Sequence, residues 1–157
     1  MLSKEAIQKI DYELTKYPGN QRQAAVMSAL RIVQTERGWL SNESITEVAQ
    51  YLGMPEIAAM EVATFYNMYD LAPVGKYKIS VCTNISCMLR DSDQIVNHLK
   101  TKLGVGFNEV TADGKYSLKE GECMGACGGA PLMIVNNHTM HEFLTPEKVD
   151  EILDDLQ

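Results

Sequence analysis

Two stretches, VCTNISC (residues 81–87) and GECMGACGGAP (residues 121–131), contain all four cysteines of this 157-residue chain. The cysteines form a C-x4-C pair and a C-x3-C pair, and 35 residues separate the two pairs. The members of each pair lie close enough in sequence for both thiolates to bind one metal atom. If the fold brings the pairs together, four sulfurs surround one centre, contributed by Cys82, Cys87, Cys123 and Cys127.

Three chemistries use such a quartet. A [2Fe–2S] cluster takes two thiolates at each iron, a structural zinc takes four thiolates at similar spacings, and two disulfides form only in an oxidising compartment. Glycines at 121, 125, 128 and 129 favour the cluster, because glycine lets the backbone approach closely and direct N–H groups at the sulfurs. Zinc loops also use glycine, so zinc stays open. The sequence has no C-x-x-C, which argues against a thioredoxin-type dithiol catalyst.

Composition narrows the class of protein. The chain is long enough for one ordinary domain or two small ones, and its hydrophobic content of 45% is typical of globular proteins. Its strongest apolar run, residues 132–135, is far too short to cross a membrane, so no membrane insertion is expected. The first residues resemble neither a secretory signal nor a transit peptide, which predicts a cytoplasmic protein with reduced thiols. The net charge of −7, without a basic run, argues against nucleic acid as a partner.

The first half follows helical periodicity. A first helix is predicted from the N-cap Ser3 to just before Pro18-Gly19, with Ile7, Ile10, Leu14 and Tyr17 on its apolar face. A second is predicted from about 21 to 37, ending at Gly38, with Val26, Ala29, Leu30 and Val33 buried.

Two further helices complete a predicted small bundle over residues 1–72. The third is capped by Ser41 or Asn42, ends at Gly53 and buries Ile45, Val48, Ala49 and Leu52. The fourth begins near Pro55, continues to about Tyr69 and carries Ile57, Met60 and Val62.

The pattern changes in the second half, which is predicted as a separate domain over residues 73–157. Apolar residues alternate from Tyr77 to Val81 as in a strand that ends at Cys82, and a helix is predicted from Asp91 to Leu103. Asp113-Gly114 predicts a hairpin, residues 132–135 a buried strand, and Thr145-Pro146 the start of a last helix. The fold class is therefore α+β, with a helical bundle followed by an α/β domain with a small mixed sheet.

Three motifs together resemble the family of the E subunit of NADH:quinone oxidoreductase (respiratory complex I): the cysteine spacing, ATFY at 63–66 and PVGKY at 73–77. The resemblance runs from about Ile10 to Leu156. It implies a thioredoxin-like [2Fe–2S] ferredoxin domain, with one [2Fe–2S] cluster bound in two loops by Cys82, Cys87, Cys123 and Cys127 and no catalytic residue on this chain. The chain lacks a dinucleotide fingerprint, so NADH and FMN are expected on a partner.

The resemblance also implies the partners: the flavin-bearing, NADH-binding F subunit and further peripheral-arm subunits, on the cytoplasmic side of the inner membrane. Phe65 and Tyr66 are expected near the contact with the flavin-bearing subunit. An alternative host is the diaphorase unit of an NAD-reducing hydrogenase or formate dehydrogenase. An alternative of another class is a zinc-stapled structural module.

Charged groups near the cysteines suggest a further hypothesis. Glu120 and Glu122 flank the second pair and would lower the potential of a nearby cluster, unless both are simply solvated. His138 and His141 have a possible metal-ligand spacing, but residues three apart on a strand point to opposite faces. Surface or hydrogen-bonded positions are therefore expected for these histidines and for His98.

Overall fold

A computed structural model describes residues 1–156 of the chain. The chain divides into two compact units, Met1–Pro73 and Val74–Gln157. Whether these units fold separately, as the predicted domains 1–72 and 73–157 imply, stays a prediction. In the described residues, no helix has both the length and the apolar character needed to cross a membrane.

The first unit consists of helices. They are α1 (Lys4–Leu14), α2 (Val26–Arg37), α3 (Asn42–Leu52) and α4 (Glu56–Phe65), and a 3₁₀ turn, Arg22–Ala25, leads into α2. The Ser3 hydroxyl accepts a hydrogen bond from the Ala6 N–H at 3.0 Å and thereby caps α1. Ser41 caps α3 in the same way, and Gly53 ends α3 with a left-handed backbone.

The buried face of each helix supplies the core of this unit. The predicted core residues of α2 and α3 are all buried, so those two predictions are confirmed. The largest fully enclosed side chains here are Ile10, Leu30, Leu40, Ile45, Val33 and Val48.

The predicted ends of α1 and α4 were wrong. Residues 15–17 follow α1 as a tighter turn with i→i+3 hydrogen bonds, which leaves Tyr17 at the surface. The fourth helix stops at Phe65 because the Gln34 side chain binds the backbone of the following segment. Its amide donates to the Met68 carbonyl at 3.0 Å and its oxygen accepts from the Asp70 N–H at 2.7 Å.

The apolar face of α4 also differs from the prediction. Ile57 is 68% exposed, and the buried positions are Ala59 and Ala63. Small side chains at Ala59 and Ala63 let α4 lie close to the rest of the bundle, and the predicted Met60 and Val62 are partly buried against the same core.

The second unit is built on a five-stranded sheet. Its elements are β1 (Tyr77–Cys82), α5 (Ile85–Met88), α6 (Ser92–Leu103), β2 (Glu109–Val110), β3 (Tyr116–Gly121), β4 (Met133–Val135), β5 (Thr139–His141) and α7 (Pro146–Asp155). The strand order is β2-β3-β1-β4-β5, with β1 and β3 parallel and the other pairs antiparallel. The predicted α+β class with a mixed sheet is confirmed.

The central strand β1 departs from the predicted alternation. Lys78 and Ser80 are buried together with Ile79 and Val81, so both faces of β1 are shielded from solvent and the expected polar face is absent. Ile79 and Val81 pack with Leu99 of α6 and Val149 of α7 in one apolar cluster. This cluster fixes the strand that ends at Cys82.

Helices α6 and α7 are joined by a polar contact as well. His98 Nε2 lies 2.7 Å from Asp150 Oδ1, and Lys102 Nζ lies 3.2 Å from the same oxygen. His98 is therefore a hydrogen-bonded histidine, as expected. The predicted cap of α7 is also present, since the Thr145 hydroxyl accepts from the Lys148 N–H at 3.2 Å.

Candidate metal centre

The sheet brings the two cysteine pairs to one edge. Cys82 is the last residue of β1, and its neighbour across the parallel pairing with β3 is Gly121, the last residue of that strand. Parallel neighbours end at the same edge of a sheet, so residues 82–88 (the first cysteine loop) and residues 121–131 (the second cysteine loop) start side by side. The Thr83 N–H extends the pairing by donating to the Gly121 carbonyl at 3.0 Å.

The first pair is buried. Cys82 and Cys87 expose 2% and 1% of their surface. The four-residue helix α5 positions Cys87, whose N–H donates to the Asn84 carbonyl at 2.9 Å. Cys82 closes β1, as predicted, whereas Cys87, which was predicted in a loop, lies in α5. The only sequence signal for so short a helix is Asn84, a common N-cap residue, ahead of it.

The second pair is exposed. Cys123 and Cys127 follow β3, and their Sγ atoms lie 3.5 Å apart. A tetrahedral metal with metal–sulfur bonds of about 2.3 Å holds two sulfurs about 3.8 Å apart, so this pair is close to the geometry that one metal atom requires. Gly125, between the two cysteines, has φ of +82°, which lets the loop turn sharply.

The loops also pack against each other. Cys82 and Cys87 form a small apolar cluster with Ala130 and Leu132, and Met124 and Ala126 of the second cysteine loop pack on it. The Cys82 N–H donates to the Leu132 carbonyl at 3.1 Å.

The electrostatics of the thiols favour a cation among them. Burial, followed by the adjacent Cys82 thiol, raises the pKa of Cys87 to about 11, and the Cys127 thiol acts in the same direction. A coordinated metal supplies the positive charge that deprotonates such thiols outright. In Cys123 the Gly125 N–H lowers the thiol pKa by hydrogen bonding to the sulfur.

By their chemistry, four thiols in two pairs are the ligand types that a group with two metal atoms would use. Within residues 1–156, no three His, Cys, Asp or Glu side chains are grouped closely enough to hold a single metal ion. A [2Fe–2S] cluster takes two thiolates at each iron.

Glu120 and Glu122 are both exposed, and each accepts a hydrogen bond from the first cysteine loop. The Thr83 hydroxyl donates to Glu120 Oε1 at 2.9 Å, and the Asn84 amide donates to Glu122 Oε2 at 3.2 Å. Both hydrogen bonds run from the first cysteine loop to the strand end or loop that carries the second pair. Sequence reasoning missed Thr83 and Asn84, because their partners lie almost forty residues away.

The segment after β5 supports the second cysteine loop. The Phe143 N–H donates to the Gly129 carbonyl at 2.6 Å, and the Leu144 N–H donates to the Pro131 carbonyl at 3.0 Å. The Glu142 side chain lies directly against the Cα of Gly129. The Ala130–Pro131 peptide bond is cis.

The other residues singled out from the sequence, two aromatic residues and two histidines, lie outside both cysteine loops. Phe65 is 80% exposed and contacts Tyr66 edge to face, with ring centroids 5.0 Å apart. His138 lies at the surface, in the turn before β5. Burial lowers the pKa of His141, and Lys148 acts in the same direction.

Comparisons with known proteins identify a family and several relatives. The model of the thioredoxin-like [2Fe-2S] ferredoxin family matches residues 10–157. The E subunit of NADH-quinone oxidoreductase from Rickettsia bellii is 46% identical over 145 residues, which cover 92% of this chain and 86% of that protein. NADH-quinone oxidoreductase subunit 2 of Thermus thermophilus is 38% identical over 144 residues, covering 92% and 80%.

One similarity to a solved structure concerns the fold. The NAD+-reducing [NiFe]-hydrogenase in the air-oxidised state superposes with a TM-score of 0.71 at 20% identity. The match covers 90% of this chain and 24% of that hydrogenase chain.

Proposed function

The chain belongs to the thioredoxin-like [2Fe-2S] ferredoxin family, and on that premise we propose that its four cysteines hold one [2Fe–2S] cluster. Cys82 and Cys87 bind the buried iron, and Cys123 and Cys127 bind the iron nearer the surface. The observation that carries this proposal is the convergence of both pairs at the edge where β1 and β3 end. Such a cluster carries one electron at a time and has no open coordination site for a substrate.

The chain is an electron-transfer subunit of an NADH:quinone oxidoreductase. Its relatives of 38–46% identity bear that complex's name and match over most of their own length. The hydrogenase match, by contrast, covers 24% of the hydrogenase chain and concerns the fold alone. The names and coverage of these relatives support the quinone-reducing complex as the host over the alternative, a hydrogenase or formate dehydrogenase diaphorase.

The electron comes from FMN on a partner, the NADH-binding F subunit. The second cysteine pair is exposed, so a protein partner can approach the cluster edge there. The Glu122 carboxylate beside Cys123 disfavours the phosphates of a dinucleotide at the same place. NADH and FMN bind to that partner, which also carries the site of hydride transfer. The assembled complex lies on the cytoplasmic side of the inner membrane, with this chain in its peripheral arm.

We assign a different role in electron transfer to each of the two units. Residues 73–157 form the cluster domain, and the helical bundle of residues 1–72 contributes to partner binding. An exposed phenylalanine packed edge to face against a tyrosine, Phe65 against Tyr66, is an unusual surface feature that a partner subunit would cover.

Reduction by NADH tests the function directly. The anaerobic chain is mixed with NADH in the presence and absence of the flavin-bearing subunit, and cluster reduction is followed by EPR. A spin-half signal that requires both NADH and the partner supports the proposal. A cluster that dithionite reduces, but that stays oxidised with NADH and the partner together, contradicts electron transfer from the flavin. Cys123→Ser serves as the control that removes one ligand.

A further inference from the structure

Where the strands end, one main-chain hydrogen bond joins the two cysteine loops. Beyond this point, side chains make the hydrogen bonds that connect the first loop to the second. Thr83 N–H to the Gly121 carbonyl, at 3.0 Å, is the last bond of the parallel ladder. Two side-chain bonds follow, from the Thr83 hydroxyl to Glu120 and from the Asn84 amide to Glu122, at 2.9 and 3.2 Å. We call Thr83, Asn84, Glu120 and Glu122 the cross-loop clasp.

The position of the clasp is tied to the cysteines on both sides. Thr83 and Asn84 directly follow Cys82 and precede α5, which carries Cys87. Glu122 directly precedes Cys123. The hydrogen bond from Asn84 to Glu122 therefore links the chain near Cys82 to the chain near Cys123.

Gly121 lies between the two glutamates and shows why the clasp has little freedom. A Cβ at this position would collide with the end of the Met124 side chain and would lie 3.3 Å from the Val81 carbonyl oxygen. The strand end is thus packed on one side by Met124, which belongs to the apolar cluster around Cys82 and Cys87. The glutamates on either side of Gly121 reach to the first cysteine loop.

We propose that Glu120 and Glu122 are positioning residues, which hold the first cysteine pair at a fixed distance from the second through Thr83 and Asn84. This inference rests on the proposed metal centre and adds to it a role in geometry that is separate from charge. A metal group that bridges the pairs is retained longer when the pairs cannot drift apart. Replacing Thr83 or Asn84 removes a hydrogen bond between the loops but leaves both negative charges in place. The positioning role of the glutamates can therefore be tested separately from the effect of their charge.

The test measures metal release from the full chain, purified anaerobically, to a coloured chelator in excess. Thr83→Val and Asn84→Ala each remove one donor and should speed release about threefold, and the double variant about tenfold, as expected for modest exposed hydrogen bonds. Thr83→Ser keeps the hydroxyl and should release metal at the wild-type rate. Ser86→Ala is the matched loop control, since within the described residues the Ser86 hydroxyl makes no hydrogen bond to the second cysteine loop.

The effect of the glutamate charges on the rate of metal release is tested on the same anaerobic preparation. Glu120→Gln and Glu122→Gln keep a side-chain oxygen as acceptor and should leave the release rate within about twofold of wild type. The midpoint temperature of thermal unfolding should be the same for the metal-free variants and the metal-free wild type. Such a match would show that the substitutions affect the loops and not the stability of the whole unit.

The outcomes separate this proposal from the one on which it rests. Iron and sulfide in the wild-type protein decide the proposed cluster, whereas the ratio of variant to wild-type release rates decides the clasp. If the chain holds zinc, the same ratio is measured with zinc. Equal release rates for the double variant and wild type overturn the clasp, whichever metal is present.

Discussion

Replacing Gly129 by alanine should loosen the support of the second cysteine loop. A Cβ at this position would lie 2.7 Å from the Glu142 Cβ and 2.5 Å from its Cδ. Carbon atoms in comfortable contact are about 3.5–4.0 Å apart, so the new methyl group is about 1 Å too close. Rotation about the Cβ–Cγ bond of Glu142 moves its Cδ and relieves that contact. It does not relieve the contact with the Glu142 Cβ, because the Phe143 N–H binds the Gly129 carbonyl at 2.6 Å and fixes the adjacent backbone.

The magnitude follows from overpacking. Forcing one extra methyl group into a close contact costs about 1–3 kcal/mol. With a urea m-value of about 2 kcal/mol/M for a small protein, the midpoint of unfolding should fall by about 0.5–1.5 M. Urea denaturation of the reduced, metal-free chain, followed by circular dichroism, measures this shift.

The neighbouring glycine provides a matched control. A Cβ on Gly128 meets no atom within 4 Å, so Gly128→Ala should change the free energy of unfolding by no more than about 0.5 kcal/mol. The reasoning is refuted if Gly129→Ala and Gly128→Ala unfold at the same urea concentration. A midpoint shift that comes with a changed m-value would point instead to an altered denatured state.

Three further predictions concern charge, partner binding and pH. Glu120→Gln and Glu122→Gln each remove a negative charge and should raise the cluster potential, by up to about 40 mV each, which potentiometry detects; unchanged potentials would exclude the electrostatic role. Phe65→Ser should weaken binding of the flavin-bearing subunit at least about tenfold in titration calorimetry while the chain stays as stable as wild type. Tyr12→Ser, at another exposed aromatic, is its control, and equal affinities of both variants would remove Phe65 from the interface. Because the folded-state pKa of His141 lies below its usual 6.5, folding stability should fall as the pH drops from about 6.5 through that pKa. His141→Gln should lack this component, and identical pH profiles of the urea midpoint would show that His141 does not contribute.

Local signals account for what the sequence predicted well. Helix caps at Ser3, Ser41 and Thr145 and the ending glycine at 53 act within a few residues, so they can be read without knowing the fold. The strand that ends at Cys82 and the hairpin at Asp113-Gly114 were equally local features. The family resemblance then supplied the thioredoxin-like fold and the cluster chemistry.

Long-range contacts account for what the sequence did not predict. The early end of α4 depends on Gln34, more than thirty residues upstream, which binds the backbone of the segment that follows the helix. The clasp between the cysteine loops depends on donors and acceptors that meet only after β1 and β3 pair. Burial of Lys78 depends on packing against β1 in the folded protein, which the alternation of the strand does not reveal. None of these contacts leaves a periodic pattern in the sequence.

Metal and sulfide analysis of the anaerobically purified chain, with EPR after dithionite reduction, tests the central claim most directly. Four cysteines that hold one [2Fe–2S] cluster predict two irons and two acid-labile sulfides per chain, with a spin-half signal on reduction. Serine at any one of the four cysteines should alter or abolish that signal. One zinc per chain, without sulfide and without an EPR signal, would contradict the electron-transfer function and leave a zinc-stapled structural module.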